Sequence, residues 1–466
     1  MKARAGALVV LAGLAAGCAG GSGGTHSTTT QAKPAVAPPK KRVNPVVYVS
    51  VVDGDTHAKI RTARVRIGSQ TDDVSRKAIA RLRVRSRRLL PVTAWAPHYE
   101  RRTVRLAFSR NRWRTLYLYR PALQWPMYGV DAARTQVQAN IRLRPPFRIA
   151  WSRGLGSLIE FPAVVSDGVA FIGNARGYIR AISMKTGRVA WRTTTGDRMA
   201  ASPAVVGDEI VVHTMSTGHV LVLNRYNGKI LRRFTIGSPI ESSPVVKDGI
   251  DYFGAWNGVV YAFDLKRGRS KWTYTSGYKI TSSPALYGGK VFIGDYGGRL
   301  LALDARSGRL RWSGSVNGRI YGTPAVTQGR VFVPSSSGGS LTAFSVTGRE
   351  LWSRSTGSYV YSSPAAWGGR VYFGSYNGLL YALSGRSGAT LWTASAGGRI
   401  SGAAVVVDGI VYAGTTRRII GVDARSGRIR FTFAHGEYVP VSGNGQRLLF
   451  HGFSRLYALE AKHRRT

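Results

Sequence analysis

Cysteine is all but absent: one residue, Cys18, in a chain of 466. A lone thiol excludes an internal disulfide and any metal centre built from several cysteines. Acidic residues are scarce as well, 22 Asp and Glu against 67 Lys and Arg. No Asp, Glu or Asn cluster recurs with the spacing of a calcium loop. The eight histidines are scattered. None forms a His-x-x-x-His pair or a Ser/His/Asp set, and His213 and His451 read as strand residues. These shortages leave little for metal-assisted or nucleophilic catalysis to work with. No cofactor and no metal ligand set is expected.

The surplus of base gives a net charge of +45, spread over every segment and carried mostly by arginine. Such a field favours polyanions: nucleic acid, anionic lipid head groups, teichoic-type polymers or acidic polysaccharide. A solvated arginine-rich surface accounts for the same composition, because charge without a clustered motif specifies no partner. Nucleic acid is not expected, given the export signal at the N-terminus.

That signal begins Met-Lys-Ala-Arg and continues as an apolar run from Ala5 to Ala16, too short to span a bilayer. Ala15-Ala16-Gly17-Cys18 then resembles a bacterial lipobox. The resemblance implies a signal peptide over 1–17, cleavage before Cys18 and lipid attachment to it. Ala15 stands where a larger aliphatic residue is usual, and an ordinary signal peptide containing a cysteine is the alternative. Residues 18–42 are rich in Gly, Ser, Thr, Pro and Ala and end Lys-Lys-Arg, the composition of a flexible tether.

Residues 43–121 show short alternating strands separated by turn residues, the pattern of a small β-sandwich. Val46 to Val52 is a strand, Asp53-Gly-Asp-Thr56 a turn, Ala63 to Ile67 a second strand, Thr71-Asp-Asp a turn, and Pro91 to Ala96 another strand. Asp53, Thr56, Ala63, Val65, Thr71, Asp72, Ala96, Pro97 and Tyr99 resemble the carboxypeptidase regulatory-like domain, a family of non-catalytic stalks and accessory modules. His98 stands where that family carries glycine, which leaves the turn there open.

From residue 122 onward one unit repeats. The copy at 297–312 reads Gly-Gly-Arg-Leu-Leu-Ala-Leu-Asp-Ala-Arg-Ser-Gly-Arg-Leu-Arg-Trp. Its relatives end at Trp191, Phe234, Trp272, Trp352, Trp392 and Phe431. A second marker falls at Pro162, Pro203, Pro244, Pro284, Pro324, Pro364 and Ala404, in steps of 41, 41, 40, 40, 40 and 40 residues, with Pro440 continuing the series. A period near 40 holding four short strands is the signature of a β-propeller. Asp304 is placed to accept backbone N–H groups and Gly308 to take a positive φ in the turn before the outermost strand. The aromatic ending that strand is placed to pack between neighbouring blades.

Seven units are complete, and the tail from Pro440 supplies three strands. Phe147-Arg-Ile-Ala-Trp151 upstream supplies a fourth. The expectation is an all-β chain, an eight-bladed β-propeller preceded by a small β-sandwich, the last blade closed by the N-terminal strand so that no sheet edge stays open. A seven-bladed ring with a loose tail is the alternative.

Gln124-Trp-Pro-Met-Tyr-Gly-Val-Asp-Ala-Ala-Arg-Thr, followed by blades ending Leu-Asp-Ala-Arg-Ser-Gly-Arg-Leu-Arg-Trp, resembles the pyrroloquinoline-quinone-type (PQQ-like) propeller repeats over residues 124–461. One branch of that superfamily is the quinoprotein alcohol dehydrogenases. Another is non-enzymatic and includes the propeller lipoprotein of the outer-membrane β-barrel assembly machinery. The enzyme branch implies a calcium ion, a catalytic aspartate and often adjacent cysteines, for which this sequence has no evident residues. A PQQ-dependent dehydrogenase is therefore the least favoured reading. The favoured one is a lipid-anchored cell-surface protein whose propeller is a binding or scaffold platform for envelope proteins. The alternative is a binder of anionic surface polymers or cell-wall polysaccharide.

In a propeller, the connections from fourth to first strands and from second to third strands share one face. Aligning the repeats places Tyr321 and Tyr361 equivalent to Glu241 on that face, with Trp256, Tyr296 and Tyr376 in the second-to-third turns. Glu160, Glu241 and Asp295 are expected nearby. Aromatics with polar tips suit peptide or sugar contact. Ordinary turn and packing aromatics are the competing explanation.

Overall fold

The computed structural model describes residues 45–74, 77–84, 89–108, 112–439 and 441–462. The expected leader, Cys18, the tether and the marker Pro440 lie outside them.

Two sheets come first. One has the order Ile79–Arg83, Val46–Asp53, Trp113–Leu118, and the other Gln70–Asp73, Arg64–Ile67, Leu90–Trp95, Arg102–Leu106. Strict alternation puts Val47, Val49 and Val51 of the first sheet against Val65, Val92 and Ala94 of the second in one buried core. Asp53 Oδ1 accepts the N–H groups of Asp55 and Thr56, both at 2.9 Å, which makes the expected turn. Thr71-Asp-Asp is not a turn. It belongs to strand Gln70–Asp73, because the tight reversal is made by Gly68 at φ +60°. His98 takes φ +68°, the left-handed conformation glycine would adopt there.

Each repeat then folds as its turns require. In the fourth blade, strands Ala285–Tyr287, Lys290–Gly294, Arg299–Asp304 and Leu310–Ser315 pair antiparallel in chain order. Asp304 Oδ1 accepts N–H bonds from Arg306 and Ser307 at 3.1 and 2.9 Å, and Gly308 sits at φ +75°. Blades one to six repeat this order. The seventh gains a fifth strand, Val137–Gln138, which runs parallel to Val405–Val407. The eighth consists of Ser442–Gly443, Leu448–His451 and Arg455–Ala461, completed by Phe147–Gly154. The ring thus has eight blades, closed by the upstream strand, and the Lys462 N–H donates to the Pro146 carbonyl at 2.9 Å beside the seam.

Blades adhere through one recurring contact. The terminal aromatic of each outermost strand lies over the glycine turn of the next blade. A Cβ on Gly187, Gly228, Gly268, Gly308, Gly348, Gly388 or Gly427 would stand 2.4–2.9 Å from the ring of Trp151, Trp191, Phe234, Trp272, Trp312, Trp352 or Trp392, respectively. All seven glycines have positive φ. The six indoles also donate Nε1–H to a carbonyl of that turn, as in Trp272 to Ala305 at 3.0 Å and Trp151 to Met184 at 2.8 Å. At the join between blades seven and eight the eighth blade's outer turn is broken by the chain ends. There Phe431 packs edge-on against Phe147 and Phe450, with centroids 5.2 and 5.6 Å away. On the inner rim, the serine of the Ser-Pro marker links blades: Ser202 N–H donates to Ser243 Oγ, Ser243 N–H to Ser283 Oγ, and Thr323 N–H to Ser363 Oγ, at 2.8–3.0 Å.

The sandwich joins the ring through a buried polar knot. Asp55 is fully buried and accepts Asn444 Nδ2–H at 2.8 Å and Gln124 Nε2–H at 3.1 Å. Both amides are held in that orientation, since Gln124 Oε1 accepts the Asp167 N–H and Asn444 Oδ1 those of Gln446 and Arg447. Burial, with the nearby Asp53 and Asp167 charges adding to it, pushes the Asp55 carboxyl up to about 7.

These contacts can be tested by substitution. Trp272→Ala lowers the unfolding free energy by about 3–5 kcal/mol. Gly308→Ala costs about 2–4 kcal/mol through left-handed strain plus overpacking, whereas Gly288→Ala, also at positive φ but with open space around it, costs only the strain of about 1–2 kcal/mol. Urea unfolding decides: equal midpoint shifts for the two glycine variants would remove the docking contact as the source. For Asp55, a folded pKa raised above the unfolded value gives stability that is complete below about pH 4 and is lost as pH rises through about 7. Unfolding midpoints are expected to fall between about pH 5 and about pH 8. Asp55→Asn should flatten that fall and lower stability at about pH 5 by about 1–3 kcal/mol, because its amide meets two donors.

Candidate functional site

The channel is closed on the inside by residues 125–138, which meet the first strands of the blades one after another. Trp125 exchanges two 2.8 Å bonds with Val165 of blade one, and the carbonyls of Pro126, Ala132, Ala133, Thr135 and Gln136 accept N–H bonds from Val205, Leu286, Val326, Ala366 and Val406. Blade three is reached by Arg134, which is fully buried. Its Nη2–H donates to Ser243 and Pro244, its Nε–H to Pro284 of blade four, all at 2.9 Å, and its Nη1–H to Tyr128. Burial pulls the guanidinium down to about 10, so it stays charged at neutral pH. First strands are the inner edges of their sheets. This segment satisfies backbone groups there that would otherwise face an empty bore.

Above that floor, the fourth-to-first connections and second-to-third turns surround a well of about 360 Å³. Glu160, Tyr321, Tyr361 and Tyr376 line it, over Tyr128 and Phe161 at its base. Tyr361 stands 4.9 Å from Tyr376 and 5.6 Å from Tyr321, ring centre to ring centre. Glu241 joins this group from a different connection. Its Oε1 accepts Tyr321 O–H at 2.6 Å and its Oε2 accepts Trp256 Nε1–H at 3.2 Å. Burial raises the Glu241 carboxyl and holds the Tyr321 phenol well above its usual value, the neighbouring Glu241 charge adding to the latter. The Tyr321 proton therefore stays on its oxygen, which donates to the carboxylate. Glu160 pairs with Arg198.

Asp295 does not join the well. It is fully buried under its own turn, where Oδ1 accepts the Arg299 N–H at 3.0 Å and Oδ2 the Arg299 Nε–H at 3.1 Å. Its role there is to fix the turn that presents Tyr296. Sequence reasoning missed three rim cations. Lys279 Nζ lies 3.1 Å from the Trp256 ring centre, and the Arg319 and Arg399 guanidinium carbons lie 5.6 and 5.8 Å from those of Tyr296 and Tyr376. The signal was present, since each cation follows its aromatic at the same interval of 23 residues.

Four overlapping stretches of the chain, 137–235, 175–279, 256–366 and 338–463, match the model of a family described as outer membrane protein assembly factor BamB. The chain belongs to this BamB-type family of PQQ-like repeats. Among solved structures, BamB from Moraxella catarrhalis is 19% identical with a TM-score of 0.59, over 69% of this chain and 100% of that one. The computationally designed Ika8 protein is 16% identical with a TM-score of 0.59, over 66% and 98%. The quinohemoprotein alcohol dehydrogenase from Comamonas testosteroni is 14% identical with a TM-score of 0.61, over 73% and 81%. At such identities the likeness shows the fold alone, and this fold carries an assembly factor, a designed protein and a dehydrogenase alike. No curated protein matches the sequence.

The donor set of this BamB-type propeller does not suit a metal-plus-quinone pair. The two carboxylates at the well are engaged, Glu241 by neutral donors and Glu160 by Arg198, and no cluster of three His, Cys, Asp or Glu occurs among the described residues. The Glu241–Tyr321 bond can be isolated by a double-mutant cycle. Glu241→Ala and Tyr321→Phe are expected to couple by about 1 kcal/mol in urea unfolding. Strict additivity would mean that the bond contributes nothing.

Proposed function

We propose that this chain is a non-catalytic docking platform of the bacterial cell envelope, anchored through lipid on Cys18 and engaged in envelope-protein assembly. The observation that carries the reading is the sealed, aromatic-lined well on a rigid ring of the BamB-type family. With the bore filled by 125–138 and the carboxylates engaged, the well offers contact surface and no evident reacting group. The sandwich acts as an accessory stalk of the carboxypeptidase regulatory-like kind, and residues 18–42 as the tether that lets both stand off the membrane.

A second reading, binding of anionic surface polymers, has its own observation. A groove between the third and fourth blades is lined by Lys247, Arg267, Arg269, Lys271 and Arg306, with Asp248, Asp264 and Asp304 among them and Arg267 paired to Asp264. The two readings separate in one experiment. Envelope is solubilised in detergent and the chain is affinity-purified at low and high salt. Under the first reading, discrete envelope proteins are retained at both salts and lost with Tyr321→Ala plus Tyr361→Ala. Under the second, retention is on anionic polymer and falls with salt. Cys18→Ala is expected to release the protein from the membrane fraction. Dye-linked dehydrogenase activity dependent on added quinone and calcium would overturn both.

A further inference from the structure

Three cations crown the well, and none has a carboxylate within ion-pair distance among the described residues. The ion pairs of this face are Arg198–Glu160 and Arg299–Asp295, and neither involves Lys279, Arg319 or Arg399. The one carboxylate beside them, Glu241, has each oxygen engaged by a neutral donor, Tyr321 O–H or Trp256 N–H. Burial weakens the hold of Lys279 on its proton; the nearby Glu241 charge opposes this, and the like charge of Arg319 adds to it. Lys279 and Arg319 repel each other, and an anion set between that pair relieves the repulsion.

The cations are also held in position. Lys279 rests on Trp256, 5.2 Å from Tyr296 as well, while Arg319 and Arg399 stack on Tyr296 and Tyr376. A guanidinium stacked on a ring keeps its in-plane N–H groups free for a carboxylate. The rings of Trp256, Tyr296 and Tyr376 carry these cations, and the inner rings pack on one another: Tyr321 on Tyr361, and Tyr361 on Tyr359 and Tyr376. Tyr359 and Tyr438 keep exposed faces, so it is the charge at the rim that favours an anion over a neutral sugar. Beneath the crown, the well between Tyr361, Tyr376, Tyr128 and Phe161 has room for an apolar or aromatic side chain.

Resting on the docking-platform reading, we propose that the well takes an acidic peptide segment: carboxylates meet Lys279, Arg319 and Arg399 at the rim while one apolar or aromatic side chain enters the well against Tyr361, over Tyr128 and Phe161. The net charge of +45 gives every anion some affinity for this chain, so the test must separate the crown from the general field. The full chain is titrated by calorimetry with acetyl-Asp-Glu-Phe-Asp-Glu-amide, and with its Phe→Gly form, at about 50 and about 500 mM salt. Lys279→Ala plus Arg319→Ala is expected to weaken binding about tenfold or more. Arg386→Ala plus Arg425→Ala, which removes the same charge from exposed turns between third and fourth strands, is expected to change it less than about twofold. Replacing Phe by Gly, or Tyr361 by Ala, should also cost about tenfold. Equal losses for the two charge pairs, or indifference to the Phe, would overturn the proposal. So would tighter crown-dependent binding of an oligogalacturonate than of the peptide, which would make the ligand a uronic polysaccharide. The docking-platform reading fails on a different result, envelope proteins whose retention is unchanged by Tyr321→Ala plus Tyr361→Ala, so the two readings fail separately.

Discussion

The ring stands on the contact between an aromatic side chain and the glycine turn of the next blade. A four-stranded blade is apolar on both faces and cannot persist alone, so its stability is the stability of its two joints. Six of the eight joints combine burial of a large ring, an indole N–H bond to a turn carbonyl, and a glycine without which the ring could not come so close. These demands explain the repeat itself: aspartate and glycine in the turn, then an aromatic four residues past the glycine in most copies. Where the chain ends interrupt the turn of the eighth blade, the indole is replaced by Phe431 in a cluster with Phe147 and Phe450. Edge-to-face aromatic packing there takes over the work of the N–H bond.

Closure from outside leaves the inside unsettled. Eight first strands converge on the axis with backbone groups that have no partner on the channel side. Residues 125–138 meet that need along blades one to seven, and the buried Arg134 gathers carbonyls from two blades and from its own segment. The outcome is a bore that is closed at depth and open only as a shallow well. The fixed ring geometry then sets cations from several blades against the aromatics of its rim.

The well also marks where reading along the chain stops working. Glu241 and Tyr321 lie in connections 80 residues apart, and only closure of the ring brings them to 2.6 Å. Aligning repeats placed Tyr321, Tyr361, Tyr376, Glu160, Glu241, Trp256 and Tyr296 on one face, where the structure sets Glu160, Tyr321, Tyr361 and Tyr376 around the well. It misplaced Asp295, whose position in the repeat is the same as a turn-capping residue and whose carboxylate is consumed by Arg299. It overlooked Lys279, Arg319 and Arg399, because in so basic a sequence three more cations carry no contrast until their stacking partners are seen.

The sequence by itself determined the all-β class, the number of blades, the strand that closes the last one and the turn chemistry of each repeat. These are properties of local spacing: a period near 40 residues, alternation within strands, and aspartate and glycine where a turn must form. Tertiary structure alone decided that 125–138 fills the bore, that Asp55 is buried between sandwich and ring with a raised pKa, and that three cations share one mouth. Those depend on which distant surfaces meet when the ring closes, and burial and charge proximity have no value until that happens.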